Sequence, residues 1–348
     1  MKAMSRSAVA LAVAAALGGC AGGGGSKPPP VEDTIWCVLV LPCLFAQPTS
    51  GASTGPAATN KFASWDNLAR EGVTHTSGGI VAASSYIVQP DGTLSVRDGV
   101  LTGDALGQVQ YSASGEAVHF SLAGGVAGGS KPGSPISSLA TAGMPWLDYA
   151  LRDQPLQGVA PKIDPQTPFS DRPAHGLEVV ANPYKLGWNY QSFGVWDTLG
   201  MDERALGATS FGSATPASAV PASGSATFTG KLAGLYTPAS GQAALAAANV
   251  SLQANFSARS LSFSSSGTTL VGNLATATAA PALDLSGTLT YAAGSSRFSG
   301  TLTNAGGTMQ GSSLGQFYGP AAQEAGGAFS LKSASGAERF TGAYGAKR

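Results

Sequence analysis

From Gly224 to the end of the chain, apolar and small polar side chains alternate with a period of two, segment after segment, and this pattern narrows the choice of fold most. Ala226, Phe228, Gly230, Leu232, Gly234 and Tyr236 make one face of the first segment, and Ser225, Thr227, Thr229 and Lys231 make the other. Successive residues of a strand point to opposite faces, so this is a half-buried strand rather than a helix. Val250, Leu252, Ala254 and Phe256 repeat the pattern, followed by Leu261 and Phe263. Leu283, Leu285, Gly287, Leu289 and Tyr291 continue it, then Phe298, Gly300 and Leu302, then Phe329 and Leu331, and finally Phe340, Gly342 and Tyr344. Turn residues such as Gly294-Ser295, Gly306-Gly307 and Ser335-Gly336 stand between the segments. An antiparallel series of about eight strands must deal with its edges, and closing into a barrel removes them. Glycines beside aromatics on the apolar face suit the crowded inside of a small barrel. A membrane barrel would turn that face outward and would need strands of about 9–11 residues with aromatic girdles. Several segments are shorter, so the expectation is a barrel with its apolar face inside.

The other end of the chain carries an export signal. Lys2 and Arg6 precede the apolar run Ala8–Leu17, which is too short for a bilayer that needs about 20 residues and fits a secretory signal peptide over 1–19. Leu17-Gly18-Gly19-Cys20 resembles the lipobox of bacterial lipoproteins. That resemblance implies cleavage before Cys20 and acylation there, giving a membrane anchor without a spanning helix. Ala21–Ser26 is a flexible tether. Ala rather than Asp at 21 favours the outer membrane, by analogy with enteric lipoproteins. Residues 20–60 are expected to be a lipidated N-terminus and linker, with 44–60 rich in Pro, Gly, Ser and Thr.

Cys37 and Cys43 are the remaining cysteines. In an oxidising compartment a disulfide closing a small loop is the default reading; free thiols or a metal pair are the alternatives, and no histidine or carboxylate sits within the loop. Loss of residues 1–19 leaves 17 basic against 19 acidic residues, which offers no basic field for nucleic acid. Charged residues are only 11% of the chain, while 43% hydrophobic content is enough for a core.

Residues 61–189 read as a small β-rich domain with long loops. Ser85–Gln89, Leu94–Leu101, Gln108–Tyr111 and Ala117–Leu122 are expected strands, whereas 152–176 carries five prolines and reads as irregular. His75 and His175 fall in expected loops and His119 in a strand. None is at metal-ligand spacing from another. Asp148, Asp153, Asp164 and Asp171 can be grouped on paper with His175 and a serine, but no strand-to-helix turn is evident to make a nucleophile elbow. No enzyme is expected. Trp146, Tyr149, Phe169, Tyr184 and Trp188 lie in an apparently loop-rich stretch, where aromatics are either core or interface anchors.

Gly315-Gln316-Phe317-Tyr318-Gly319-Pro320-Ala321-Ala322-Gln323-Glu324-Ala325-Gly326-Gly327-Ala328-Phe329 resembles the G-x-F-Y-G-P-x-A-x-E-x-G-G-x-F motif of the β-barrels of transferrin-binding protein B. The close Phe340–Arg348 is similar to that family's F-x-G-x-F-G-A-K-R, with Tyr344 in place of Phe. Tyr190–Trp196 is similar to its opening strand, and Ala222–Gly230 to the start of the next. The resemblance implies an all-β lobe, with a handle-like domain over 61–189 and an eight-stranded antiparallel β-barrel over 190–348. Phe317, Tyr318, Gly319, Pro320, Glu324 and Gly327 would bear the fold, Tyr318-Gly319-Pro320 ending a strand in a rigid turn. Glu324 would accept backbone donors from the glycine-rich return that follows it. The family consists of outer-membrane surface lipoproteins of Gram-negative bacteria. It implies a host or environmental protein ligand, whether transferrin-like, haemoglobin-like or a complement factor, together with a TonB-dependent receptor as a further partner. No resident cofactor is expected. Its hemophilin relatives raise haem as an alternative ligand, with His75 or His175 as the axial candidates, and factor H binding protein raises immune evasion as another.

Overall fold

The computed structural model describes residues 75–88, 94–112, 115, 117–122, 136–153, 175–199, 203–239, 243–273 and 276–348. The signal-like start, Cys20, the Cys37–Cys43 pair, the linker and Phe169 lie outside them.

Two antiparallel sheets make up the described chain. The first contains β1 (His75–Val88), β2 (Leu94–Tyr111), β3 (Ala117–Leu122), β4 (Ile136–Leu139), β5 (Met144–Asp153), β6 (His175–Ala181), β7 (Gln191–Leu199) and β8 (Glu203–Gly212). Their spatial order is β3-β2-β1-β8-β7-β6-β5-β4. Between β6 and β7 lies one short helix, α1 (Pro183–Leu186). Asn182 caps it by accepting from the backbone N–H of Tyr184 and Lys185, Pro183 opens it, and Gly187 ends it.

The second sheet contains β9 (Ser225–Thr237), β10 (Ala244–Asn255), β11 (Ser260–Asn273), β12 (Thr276–Ala279), β13 (Leu285–Thr290), β14 (Arg297–Asn304), β15 (Met309–Tyr318), β16 (Glu324–Ser333) and β17 (Arg339–Lys347). The order β10-β9-β17-β16-β15-β14-β13-β11 is closed by pairing of β10 with β11, so eight strands form the expected barrel. β12 stands outside the ring and pairs only with the end of β11.

The alternation of the sequence maps onto this ring. Phe228, Leu232, Leu252, Phe263, Leu289, Phe298 and Phe329 are buried inside it. Ser and Thr point outward in aligned rungs, as in Thr229–Ser251–Ser264 and Ser262–Thr288–Thr301. A membrane barrel has the reverse arrangement.

One wall of the barrel is apolar on its outer side as well. Ala233 and Leu235 of β9, Leu245 and Ala247 of β10, and Ala343 of β17 share a core with Leu147, Val179, Phe193 and Val195 of the first sheet. The other face of that sheet buries Val81, Tyr111, Val180, Trp196 and Phe211.

The structure departs from two sequence expectations. β7 and β8, placed in the barrel by the start at 190, pair instead within the first sheet, with β6 and β1 as their outer neighbours. The physical reason is visible in β7, where Phe193 and Val195 face the barrel while Trp196 faces the opposite core, and all three are buried. Such a strand belongs in the middle of a layered structure, and barrel walls exposed to water do not provide that environment. In addition, the stretch from 144 to 190, read as loop-rich, holds β5 up to Asp153 and β6 from His175 among its described residues, while 154–174 lie outside them.

Candidate binding site at the junction of sheet and barrel

The motif from 315 to 329 lies where the barrel meets the first sheet. Phe317 points inward and is fully buried, with its ring centroid 5.1 Å from Phe298, 5.5 Å from Tyr291, 6.0 Å from Phe256 and 6.1 Å from Phe228. The next side chain, Tyr318, must point the other way, and it reaches the first sheet with its hydroxyl 2.8 Å from Ser210 Oγ. Burial pushes the Tyr318 hydroxyl far above its ordinary range, so it stays protonated.

The turn after β15 is stitched to the segment that follows β8. Gly319 N–H donates to Ser213 O at 2.8 Å, Thr215 Oγ1 donates to Gly319 O at 2.7 Å, and Thr215 N–H donates to Phe317 O at 2.8 Å. Pro320 is exposed at the tip. Gly327 lies close to Tyr344, whose hydroxyl would be 2.7 Å from a Cβ there.

Glu324 departs from the expected partner. It accepts from the backbone N–H groups of Asn189, at 2.6 Å, and Tyr190, at 3.0 Å, rather than from its own glycine-rich return. The carboxylate thus joins the barrel to the stretch leading into β7. Burial pushes Glu324 up to about 7, against the downward pull of those two donors and of Lys347. Gln191 adds a parallel link, donating through Nε2 to Ala346 O at 2.9 Å. Lys347 Nζ donates to Gly187 O.

Beside these links the outer wall of β9–β11 and the end of α1 enclose a groove of about 460 Å³. Leu186 and Trp188 are its apolar lining, and Thr229, Lys231, Asn249, Ser251, Ser264 and Ser266 its polar lining. Trp188 can lie so close because Gly345 has no side chain: a Cβ there would sit 2.8 Å from the indole. Lys231 Nζ donates to Asn249 Oδ1 at 2.6 Å and stands 5.8 Å from the centroid of Trp146.

The remaining candidates scatter. The backbones of His75 and His175 begin β1 and β6, and His119 lies within β3, so none is in a loop. Among the described residues no cluster of three or more His, Cys, Asp or Glu could hold a metal. Asp148 is occupied structurally: it pairs with Lys185 at 2.8 Å and accepts from Asn182 Nδ2 at 2.8 Å. Gly311-Ser312-Ser313-Leu314-Gly315 has the spacing of a serine nucleophile motif but lies inside β15. Ser313 Oγ there bonds Ala328 O at 3.2 Å and the Tyr344 hydroxyl at 3.0 Å, with no strand-to-helix turn to expose it. Trp146 and Trp188 are buried in the core between sheet and barrel, while Tyr149 and Tyr184 are half-buried. Asn182 and Lys231 are not among the candidate site residues of the sequence. Asn182 was legible as Asn-Pro before a helix that ends in Gly187. Lys231, an ordinary outward strand residue, becomes a groove residue only through α1.

Residues 220–348 match the family described as the C-lobe and N-lobe beta barrels of Tf-binding protein B. This stretch is thus similar to the barrels of Tf-binding protein B. The matched stretch holds all the barrel strands, while Tyr190–Trp196, expected to open the barrel, precedes it. Among solved structures, a mutant of transferrin-binding protein B from Haemophilus parasuis Hp5 is similar at 11% identity and a TM-score of 0.37. The match covers 79% of this chain and 76% of that one. Intact Ap-TbpB, with N and C lobes, is similar at 11% identity and a TM-score of 0.35, covering 79% and 77%. The isotype 1 protein from serogroup B Neisseria meningitidis reaches 21% identity and a TM-score of 0.33, covering 50% of this chain and 34% of that one. The comparison with curated proteins found no match. No helix among the described residues is long and apolar enough to cross a membrane.

Proposed function

We propose that the protein is an outer-membrane surface lipoprotein, anchored through Cys20, that binds a host protein as a source of iron or haem. The observation that carries this reading is the family match over 220–348, a barrel kind named for binding transferrin. The lipobox-like start and glycine tether fit such a lobe, because a soluble barrel needs some means of staying at the cell surface. The role is binding rather than catalysis. On this reading Cys37 and Cys43 form a disulfide beside the tether.

Capture from serum tests the ligand. The mature chain, immobilised through its N-terminus, is expected to retain one host protein, with transferrin, haemoglobin and complement factors scored by mass spectrometry. Retention of none of them overturns the host-receptor reading, and retention of a complement factor alone moves it to immune evasion. The anchor is tested apart from the ligand: palmitate labelling of the expressed chain is expected to be lost in Cys20→Ser, and label surviving that change refutes lipidation there.

A further inference from the structure

We propose that the groove between α1 and the barrel wall binds an anionic, hydroxyl-bearing ligand with the chemistry of an acidic sugar. This does not rest on the host-protein reading, and a failed serum capture leaves it standing.

Hydroxyl rungs cover much of the exposed barrel wall, and such rungs alone select nothing. The groove beside α1 combines three features. First, it is concave, and its volume of about 460 Å³ falls within the roughly 300–1,000 Å³ of small-molecule sites. Second, it holds a cation with donors to spare. An ammonium has three N–H groups. Asn249 takes one of those of Lys231, and among the described residues no carboxylate lines the groove or pairs with Lys231. Third, it has an apolar lining. Leu186 and Trp188 line it together with Ser251 and Ser264, and Asn249 fixes where the ammonium sits.

A sugar ring presents an apolar C–H face and a rim of hydroxyls, so it needs an apolar side opposite a polar one. A carboxylate on that ring would meet Lys231 in a charge-assisted bond. A phosphate asks for several cations or a nest of backbone N–H groups, and one lysine among hydroxyls does not provide that. An apolar ligand would offer no partner to the spare donors of Lys231 or to the hydroxyls of Thr229, Ser251, Ser264 and Ser266.

The test is titration of the full mature chain with N-acetylneuraminic acid, followed by amide NMR, with galactose and sodium acetate as controls. The expected result is a saturable shift of the Lys231, Asn249, Ser251 and Ser264 amides by the acidic sugar, with each control at least about tenfold weaker. One charge-assisted bond is worth about tenfold or more. Lys231→Met is expected to lose at least about tenfold and Lys231→Arg to retain most of the affinity. Ser264→Ala, a surface change that leaves Lys231 in place, is expected to weaken binding severalfold, which guards against misfolding of the lysine variant. No shift at these amides, acetate binding as tightly as the sugar, galactose binding as tightly, or Lys231→Met binding unchanged would each overturn the proposal. A sialylated glycoprotein and its desialylated form then separate the sources: binding lost with the terminal sugar assigns a glycan, and free sugar bound with neither glycoprotein retained assigns the free acid.

Discussion

Replacing Glu324 with Gln separates two effects that oppose each other at the junction. The carboxyl is fully buried and accepts from Asn189 N–H at 2.6 Å and Tyr190 N–H at 3.0 Å. Burial disfavours its charged form, and the donors favour it. If burial wins, the folded-state value rises from an ordinary 4.5 to about 7. Between those values the folded chain holds a proton that the unfolded chain has released. Stability contributed by the protonated group is then fully present below about pH 4.5 and is lost as pH rises towards 7. At about 1.4 kcal/mol per unit, the loss amounts to about 3 kcal/mol. Gln has the shape of the protonated acid and cannot ionise. Glu324→Gln should therefore match the parent near pH 4.5, stay level as pH rises, and exceed it by up to about 3 kcal/mol at pH 7.5. Urea unfolding at pH 4.5, 6 and 7.5, followed by tryptophan fluorescence, measures this difference. If the variant is less stable than the parent by the same amount at every pH, the reasoning fails. The two N–H bonds would then dominate, and the loss would be the cost of a buried donor facing an amide NH₂, about 1–3 kcal/mol.

Phe317→Ala removes the ring at the centre of four aromatic contacts and should cost about 3–5 kcal/mol, lowering Tm by about 10 °C; calorimetry showing a change under 2 °C would place the centre of the core elsewhere. Tyr318→Phe leaves Ser210 Oγ without its partner at 2.8 Å and should cost about 1–2 kcal/mol in denaturant unfolding. A neutral effect would mean that water serves Ser210 equally well. Gly345→Ala puts a Cβ 2.8 Å from the Trp188 indole, so Trp188 must shift at a cost of about 1–3 kcal/mol. Hydrogen exchange should quicken at Trp188–Gln191 before it does inside the barrel, and equal change in both would show that the two do not separate at this point.

Period two made the barrel strands legible from Ser225 to Lys347, because water on one side and core on the other impose alternation. It says nothing about which sheet a strand joins. Gln191–Leu199 resembles a barrel strand in sequence, yet it lies in the sheet that covers the barrel. Two-sided burial has its own sign in the sequence, visible as unbroken apolar stretches. Leu232–Leu235, Ala243–Ala248 and Ala343–Ala346 are runs of this kind, and they mark the wall against which the first sheet packs. Of the motif, Phe317 and the turn at Gly319-Pro320 follow from local chemistry. The donors to Glu324 do not, since Asn189 and Tyr190 lie 134 or more residues away and come close only once both sheets have formed.

The motif is therefore better understood as a fastening than as a ligand site. Its alternation sends Phe317 into the barrel and Tyr318 into the sheet. Glu324, Gln191 and Lys347 then tie the α1–β7 stretch to β16 and β17. A unit tied this way carries α1 at a fixed distance from Lys231 and Asn249, and that distance defines the groove. A hinge at Tyr190 would open the groove and would require the Glu324, Gln191 and Ser210 bonds to break together. Glu324→Ala, which removes both acceptors without touching a lining residue, should therefore weaken ligand binding in the groove, and Gly345→Ala should do so by displacing Trp188. The contrast with Lys231→Met is measurable, since a fastening variant should raise exchange at Asn189 and Tyr190 in proportion to the affinity it loses, whereas the lysine variant should lose affinity with exchange unchanged.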